Sequence, residues 1–103
     1  MIGLTVIGII LKQPVEYSAP TNVQINENTL SFDSVEGASK YRVIVKDIHG
    51  NLIFEFSTKY TTYDLKEIPS LKEGITYYIY LQTEATELME ASDLTKAVVY
   101  TKK

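Results

Sequence analysis

The sequence predicts an all-β fold, an antiparallel sandwich of two sheets. Apolar and polar residues alternate with a period of two over most of the chain, and turn-forming residues interrupt these runs at the spacing of about eight to twelve residues that is typical of sandwiches. No segment carries a sustained helical stripe. At 103 residues the chain has the size of one domain, which removes about 65% of its unfolded surface from water and supports one core.

Composition and charge exclude several classes of protein. The chain is 45% apolar and 22% charged, which is typical of a globular domain rather than a disordered or membrane-embedded chain. Its net charge is −3 and its only basic cluster is Lys102 with Lys103, so we expect no nucleic-acid partner. It contains no cysteine, so disulfides and thiolate metal sites are excluded and we expect no cofactor.

The first element is the apolar segment "MIGLTVIGIIL". It is shorter than the about 20 apolar residues of a membrane span, and no basic residue precedes it, unlike in a secretory signal. We therefore expect no membrane span. Four apolar residues fall on one strand parity, namely Ile2, Leu4, Val6 and Ile10. Because Ile7, Ile9 and Leu11 fill the other parity, the pattern indicates a strand buried on both faces.

Two interpretations of this N-terminal strand remain open. It either pairs within its own sandwich or forms an arm that adds to a neighbouring subunit's sheet or docks in its groove. The stretch "KQPVEYSAP" that follows holds two of the three prolines, which remove ladder donors and mark a break or an edge. We therefore divide the chain into residues 1–19, an apolar strand with its connector, and residues 20–103, the sandwich.

The remaining strands follow in order along the chain. They are predicted at "NTLSFDSV", "KYRVIVKD", "NLIFEFST", "TTYDL", "ITYYIYLQTEA" and "KAVVYT". The pair Gly50 and Asn51 predicts a turn, and hence a hairpin over residues 41–57, because glycine tolerates positive φ. In its second strand the alternation predicts one face formed by Leu52, Phe54 and Phe56, with Ile53 and Glu55 opposite. Residues 83–93 contain helix formers but no apolar stripe, so a loop or a single turn is expected.

From Pro20 onward the chain resembles a fibronectin type III module. The stretch "APTNVQINENTLSFDSVEGASKYRVIV" is similar to the opening of that family: a Pro-x-x-Val strand, then Leu-x-Trp, then Gly-Ala and Tyr-x-Val. Phe32 stands where the family usually carries tryptophan. The resemblance implies a seven-stranded sandwich of the immunoglobulin-like kind.

A second motif extends the resemblance. "LKEGITYYIYLQ" is similar to the family's Leu-x-Pro-Gly-Thr-x-Tyr-x-Val-x-Val signature, which it matches through Leu71, Gly74, Tyr77, Ile79 and Leu81. Glu73 replaces the usual proline and Ile75 the usual threonine. The closing "KAVVYT" resembles the family's last strand.

The resemblance places Tyr77 at the tyrosine corner. There we expect the ring to pack inward and the hydroxyl to bond to the backbone near Leu71, which leaves no buried polar group unsatisfied. Strand parity then puts Ile79 and Leu81 in the core. The residues expected on the other face of this sheet are Arg42, Ile44, Lys46, Tyr78, Tyr80, Gln82, Val98 and Tyr100.

Two interpretations of this outer face compete. Its tyrosines and β-branched residues have high strand propensity and pair across strands, for about 0.2–1 kcal/mol each. Alternatively, Arg42, Ile44, Tyr78, Tyr80, Val98 and Tyr100 form a protein-binding surface. Tyrosine suits such a surface because it brings a large area, few rotatable bonds and a polar tip.

No catalytic constellation is visible in the sequence. The single histidine, His49, lies in a predicted turn, and one imidazole without cysteine cannot form an ordinary zinc site. No serine lies in a nucleophile motif. The acids Glu84, Glu87 and Glu90 lack the spacing of a calcium loop. We therefore expect no enzyme activity.

These observations predict a non-catalytic module that works by surface contact. An accessory or decoration subunit of a larger assembly, such as a phage virion, is the first hypothesis, with a capsid or other assembly protein as partner. The alternative is a spacer or carbohydrate-binding module of a bacterial cell-surface protein or secreted enzyme. The location expected is a virion or other extracellular assembly in the first case, and the bacterial surface or medium in the second.

Overall fold

The computed structural model describes residues 15–103 and confirms the all-β fold. Its elements are β1 (Gln24–Asn26), β2 (Thr29–Ser31), β3 (Tyr41–Lys46), β4 (Leu52–Thr58), β5 (Thr62–Asp64), a short 3-10 helix (Leu65–Glu67), β6 (Thr76–Thr83) and β7 (Val98–Thr101). Each predicted strand from residue 20 onward is present. The N-terminal strand predicted within residues 1–11 lies outside the described residues.

The strands form two antiparallel sheets. One has three strands in the order β1-β2-β5, and the other has four in the order β4-β3-β6-β7. The central strand β3 pairs with β4 on one side and with β6 on the other. Since every pair is antiparallel, directly opposite residues share a face, and the inward faces of the two sheets enclose one core.

Strand β6 shows the parity on which the core depends. Tyr77, Ile79 and Leu81 are 3%, 0% and 0% exposed, whereas Tyr78 and Tyr80 are only half-buried. The prediction that odd-numbered residues of this strand face the core is therefore confirmed. The core also includes residues from both sheets and the loops between them, namely Leu30, Phe32, Tyr41, Val43, Val45, Leu65, Ile68, Leu71 and Tyr100.

The predicted tyrosine corner is confirmed at Tyr77. The backbone N–H of Lys72 donates a hydrogen bond to the Tyr77 hydroxyl over 2.8 Å. This bond satisfies the hydroxyl and fixes the turn that leads into β6. Tyr41 repeats the arrangement, because its hydroxyl accepts from the N–H of Val35 over 2.9 Å.

Removing the Tyr77 hydroxyl tests how much this hydrogen bond contributes to stability. We expect Tyr77→Phe to lower the free energy of unfolding by about 1–3 kcal/mol, because the Lys72 N–H loses its acceptor. Urea unfolding followed by tyrosine fluorescence or circular dichroism measures the change. Tyr78→Phe on the outer face is the matched control, and an equal loss in both variants would contradict the assigned role.

The turn between β3 and β4 confirms the predicted hairpin. Gly50 has a φ of 85°, which few residues other than glycine adopt. The Asp47 carboxylate accepts from the N–H groups of Asn51 and His49 over 2.9 and 2.8 Å. These donors, Asn51 first, lower the pKa of Asp47. His49 is an exposed turn residue, as its position beside Gly50 predicts.

Strand β4 corrects one predicted face. Phe54 and Phe56 face inward as expected, but Leu52 is exposed and Ile53 packs against the core. The cause is a shift of register: Val45 lies opposite Phe54, whereas Lys46 lies opposite Leu52. One extra residue on β4 reverses the parity beyond it, as in a β-bulge.

The segment between β6 and β7 contains no helix, as predicted. Its second half runs beside the end of β6, where the Ser92 N–H donates to the Thr83 carbonyl over 3.0 Å and the Thr95 N–H donates to the Leu81 carbonyl over 2.9 Å. The 3-10 helix after β5 was not predicted. The side chain of Asp64 caps it by accepting from the Lys66 N–H over 3.0 Å.

The packed body begins before Pro20. Glu16 forms a parallel bridge with Glu90, through bonds from the Glu90 N–H to the Val15 carbonyl and from the Tyr17 N–H to the Glu90 carbonyl. The buried Tyr17 donates its hydroxyl to the carbonyl of Gly37 over 3.0 Å. Residues 15–17 are thus held against the loop that follows β6.

Candidate functional site

The outward side of the four-stranded sheet is the candidate site, and we call it the tyrosine face. Its residues lie in rows set by the strand register. One row contains Leu52, Lys46, Tyr78 and Val99, the next Glu55, Ile44 and Tyr80, and the third Ser57, Arg42 and Gln82. The structure therefore brings together four predicted site residues, Arg42, Ile44, Tyr78 and Tyr80.

The tyrosine face is apolar at its centre and along one end. Ile44, Tyr78 and Tyr80 are half-buried by their cross-strand neighbours. Val99 and Leu52, at the two edges of the same row, are 59% and 56% exposed. Tyr78 therefore lies beside the exposed Val99, and Tyr80 lies beside Ile44 in the next row, so a partner placed on this face would remove apolar surface from water.

Two predicted site residues do not lie on this face. Tyr100 is 2% exposed and belongs to the core, and Val98 lies on the same inward parity. Predicting them on the outer face was wrong. The register of β7 explains the correction, because Tyr100 lies opposite Tyr77 and Val98 opposite Ile79, and both partners face the core. Val99, which lies between them, takes the outward position.

The sequence of β7 alone does not show which of its residues face inward. Val98, Val99 and Tyr100 are three consecutive apolar residues, so either phase of the alternation fits them. A hydrogen-bond partner distant in sequence fixes Tyr100 inward, since its hydroxyl donates to the side chain of Asn28. Burial raises the pKa of Tyr100 above its ordinary value, and the charge of Asp64 adds to the shift.

Charged side chains flank the aromatic centre. Arg42 Nη1 lies 2.7 Å from Glu55 Oε2, an exposed pair that contributes little to stability. Lys46 Nζ lies 5.4 Å from the centroid of the Tyr80 ring, within the range of a cation–π contact. Both contacts hold long side chains in place in the free protein. Binding of a partner therefore costs less side-chain conformational entropy.

The outer face of the three-stranded sheet has a different composition. All of its strand positions are polar, namely Gln24, Asn26, Thr29, Ser31, Thr62 and Asp64. A shallow open depression there is lined by Asn26, Glu27, Thr29, Ser31 and Thr62. No aromatic side chain lines it. The strand positions of this outer face are therefore wholly polar, whereas the tyrosine face combines apolar, aromatic and charged side chains.

The remaining candidate residues, His49 and the acids Glu84, Glu87 and Glu90, lie outside the strands. Within residues 15–103 no three His, Asp or Glu side chains form a group that could hold a metal ion. The loop acid Glu84 accepts a hydrogen bond from the Ser57 hydroxyl. Each buried side-chain polar atom of residues 15–103 has a hydrogen-bond partner.

The other predicted binding residues belong to the N-terminal strand. Ile2, Leu4, Val6 and Ile10 lie outside the described residues. Their predicted role in protein binding stays a prediction. What the structure does define is the point at which their segment joins the body, at Val15 beside Glu90.

Fold and site together define a class: a small β-sandwich domain with one aromatic and one polar outer face. In the part of the chain from residue 15 to 103, no helix is long and apolar enough to cross a membrane. A scan against protein-family models gives no match for this chain, and a search of curated proteins gives none either.

Proposed function

We propose that this protein is a non-catalytic binding module that acts as an accessory subunit of a larger assembly, such as a decoration protein of a phage virion. Residues 20–103 are a fibronectin type III-like sandwich in this proposal. The tyrosine face and the N-terminal strand contact an assembly protein, and the location is a virion or another extracellular assembly. The observation that carries the proposal is the contrast between the two outer faces.

This contrast helps to decide between the two interpretations of the tyrosine face, namely high strand propensity and contact with a partner. If strand propensity alone selected the outward residues, both sheets would carry the same kinds of residue. Threonine is a good strand former that suits a position exposed to water. The three-stranded sheet meets that requirement with Thr29 and Thr62. The four-stranded sheet instead exposes a valine and a leucine to water and leaves two tyrosines half-exposed, at a cost that a partner would remove. Propensity alone does not account for this difference.

The chemistry of the tyrosine face favours a protein partner. Interfaces are enriched in tyrosine and arginine and depleted of other charges at their centre. Tyr78 and Tyr80 supply the centre, and Arg42 with Glu55 supplies a polar rim. A partner surface with apolar pockets and acceptors for the two phenol hydroxyls would match it.

Association with particles tests the proposal. We expect the chain, expressed at its natural level in its source, to sediment with large particles, and the Tyr78→Ala/Tyr80→Ala double variant to bind them at least about tenfold more weakly, since two such truncations cost more than about 1.4 kcal/mol. Quantitative immunoblotting of gradient fractions gives the bound share. Thr29→Ala/Thr62→Ala on the polar face is the matched control.

Three outcomes would contradict the proposal. If the wild-type chain stays wholly in the low-mass fractions, it is not a subunit of a large assembly. The carbohydrate alternative is supported instead if oligosaccharides such as chitotetraose or cellotetraose quench the tyrosine fluorescence saturably and Tyr80→Ala removes the effect. Equal loss of particle binding in the threonine control would remove the tyrosine face from the interface.

A further inference from the structure

The charged groups of the tyrosine face are not equally engaged within the domain. The Glu55 carboxylate lies 2.7 Å from Arg42 Nη1. The carboxylate of Glu84, which adjoins the face beyond β6, accepts from the Ser57 hydroxyl. Lys46 differs, because no carboxylate in the part of the chain that the structure describes lies within ion-pair distance of its ammonium. The face therefore presents to a partner a cation without a counter-ion, whereas its carboxylates already have donors.

The position of the Lys46 ammonium makes this charge part of any contact with Tyr80. Its Nζ lies 5.4 Å from the centroid of the Tyr80 ring, within the range of a cation–π contact. A partner that covers the ring either takes the ammonium out of water or displaces it. Removing an ammonium from water without a counter-ion costs free energy, and a hydrogen-bonded carboxylate offsets this cost. A partner with an acid at this point keeps the cation–π contact and gains an ion pair.

The phenol hydroxyls beside this cation also favour an anion. In the core, the hydroxyls of Tyr41, Tyr77 and Tyr100 bond to groups of their own domain. Those of Tyr78 and Tyr80, on the half-buried parity of β6, make no hydrogen bond to any described residue. A phenol donates to a carboxylate with roughly twice the strength of a bond to a neutral acceptor. A carboxylate at Tyr80 therefore has donors both in the hydroxyl and in the neighbouring ammonium.

The two outer faces also differ in the sign of their charge. On the tyrosine face and its extension by one pair beyond the third row, the bases are Lys40, Arg42 and Lys46 and the acids are Glu55 and Glu84. The strands of the opposite face and the turn between β1 and β2 carry two acids, Asp64 and Glu27, and no base. Because opposite charges attract at long range, an acidic partner is drawn to the tyrosine face and repelled by the other.

We propose that the partner of the tyrosine face is an acidic protein surface, which places an aspartate or glutamate carboxylate against the Lys46 ammonium and beside the Tyr80 hydroxyl. This inference deepens the proposed function, on which it rests, by naming the chemistry of the assembly protein at the contact. Apolar side chains next to the carboxylate cover Tyr78 and Val99. The two tyrosines then supply most of the buried area, and Lys46 selects the partner by charge.

Selection from a displayed library of random dodecapeptides tests the charge of the ligand. The immobilised full-length chain is the target, and peptides that bind the Tyr78→Ala/Tyr80→Ala variant are removed beforehand. We expect the retained peptides to be enriched in aspartate and glutamate over the unselected library, and to be depleted of lysine and arginine. Enrichment of basic or uncharged peptides would contradict the proposal, and so would the absence of any peptide that needs the two tyrosines.

Reversing the charge at Lys46 locates the contact. A fluorescein-labelled copy of the most enriched peptide is titrated with each variant, and fluorescence anisotropy gives the dissociation constant. We expect Lys46→Glu to raise this constant at least about tenfold, because two carboxylates then face each other. Lys66→Glu is the matched control, since it changes the net charge equally but lies in the 3-10 helix after β5. It should change the constant by less than about twofold, because salt screens distant charges.

Lys46→Met separates the charge of the lysine from its packing. Methionine keeps an apolar stem over Tyr80 but removes the cation. We expect a dissociation constant at least about threefold above that of the wild type at low ionic strength, and added NaCl should reduce this difference, because salt screens the ion pair. Binding as tight as that of the wild type would show that Lys46 is displaced by the ligand, and would overturn the proposal.

Two further results would also overturn it. Equal weakening by Lys46→Glu and Lys66→Glu would mean that the net charge of the chain governs binding, and not a contact at Lys46. A wild-type dimer in light scattering that Lys46→Glu dissociates would assign the face to a second copy of this chain. Circular dichroism of each variant checks that the sandwich is folded before binding is compared.

This inference and the proposed function fail separately. If acidic peptides bind through Lys46 but the wild-type chain does not sediment with particles, the assembly role is wrong and the acid-binding face stands. If the wild-type chain sediments with particles and Lys46→Glu sediments equally well, the charge assigned to the partner is wrong and the assembly role stands. Loss of the particles by Lys46→Glu, with retention by Lys66→Glu, supports both.

Discussion

Ile79→Ala is expected to lower the free energy of unfolding by about 2–5 kcal/mol, because it empties the centre of the core. Ile79 is fully buried in β6, between the strand pairs on either side. Its lost methyl groups leave a cavity that the paired strands cannot close. Equilibrium unfolding in urea, with the slope compared between variants, gives the value.

Val99→Ala is the control for this substitution. Val99 lies on the neighbouring strand but faces outward, so its truncation should change stability by less than about 0.5 kcal/mol. Comparable losses at the two positions would contradict the inward parity of β6. The tyrosine face depends on that parity, since a reversed strand would bury Tyr78 and Tyr80.

Tyr100→Ala is expected to have a similarly large effect, about 3–5 kcal/mol, which is the range for a buried aromatic residue. Its ring is enclosed by the core and its hydroxyl donates to Asn28. This side chain also joins β7 to the turn between β1 and β2. Thermal and urea unfolding both measure the change.

Tyr80→Ala tests the difference between a core tyrosine and a tyrosine on the outer face. It removes the same side chain from the outer face, where cross-strand packing contributes about 0.2–1 kcal/mol, so we expect a loss of that size. Tyr100→Phe, which deletes only the hydroxyl, should cost about 1 kcal/mol. If Tyr80→Ala proves as costly as Tyr100→Ala, the division between a structural and a contact tyrosine is wrong.

Alternation in the sequence was sufficient for most of the fold. β3 shows one clear parity, and in β6 the tyrosine-corner resemblance set the phase, so their inward residues Val43, Val45, Ile79 and Leu81 could be predicted. The same resemblance predicted the inward ring of Tyr77 and a bond from its hydroxyl to the backbone near Leu71, and the structure shows this bond at the Lys72 N–H. Gly50 marked the hairpin because its turn requires positive φ.

The errors fall where two phases of the alternation fit equally well. In β4 the bulge opposite Val45 and Lys46 reverses the parity of Leu52 and Ile53. A bulge adds one residue to one strand of a pair, and β4 contains no glycine that would mark it. Leu52 was therefore absent from the predicted face, although it is one of its most exposed apolar residues.

The sequence by itself determined the strand order along the chain, the single core and the existence of an aromatic outer face. These follow from local patterning, because a period of two in one segment shows which of its side chains lie on the same face of the strand. Only the tertiary structure decided that Val99 rather than Tyr100 completes the face, and that β4 is left as the long edge. Both depend on which strands pair and in which register, and register is a relation between distant segments that neither segment encodes alone.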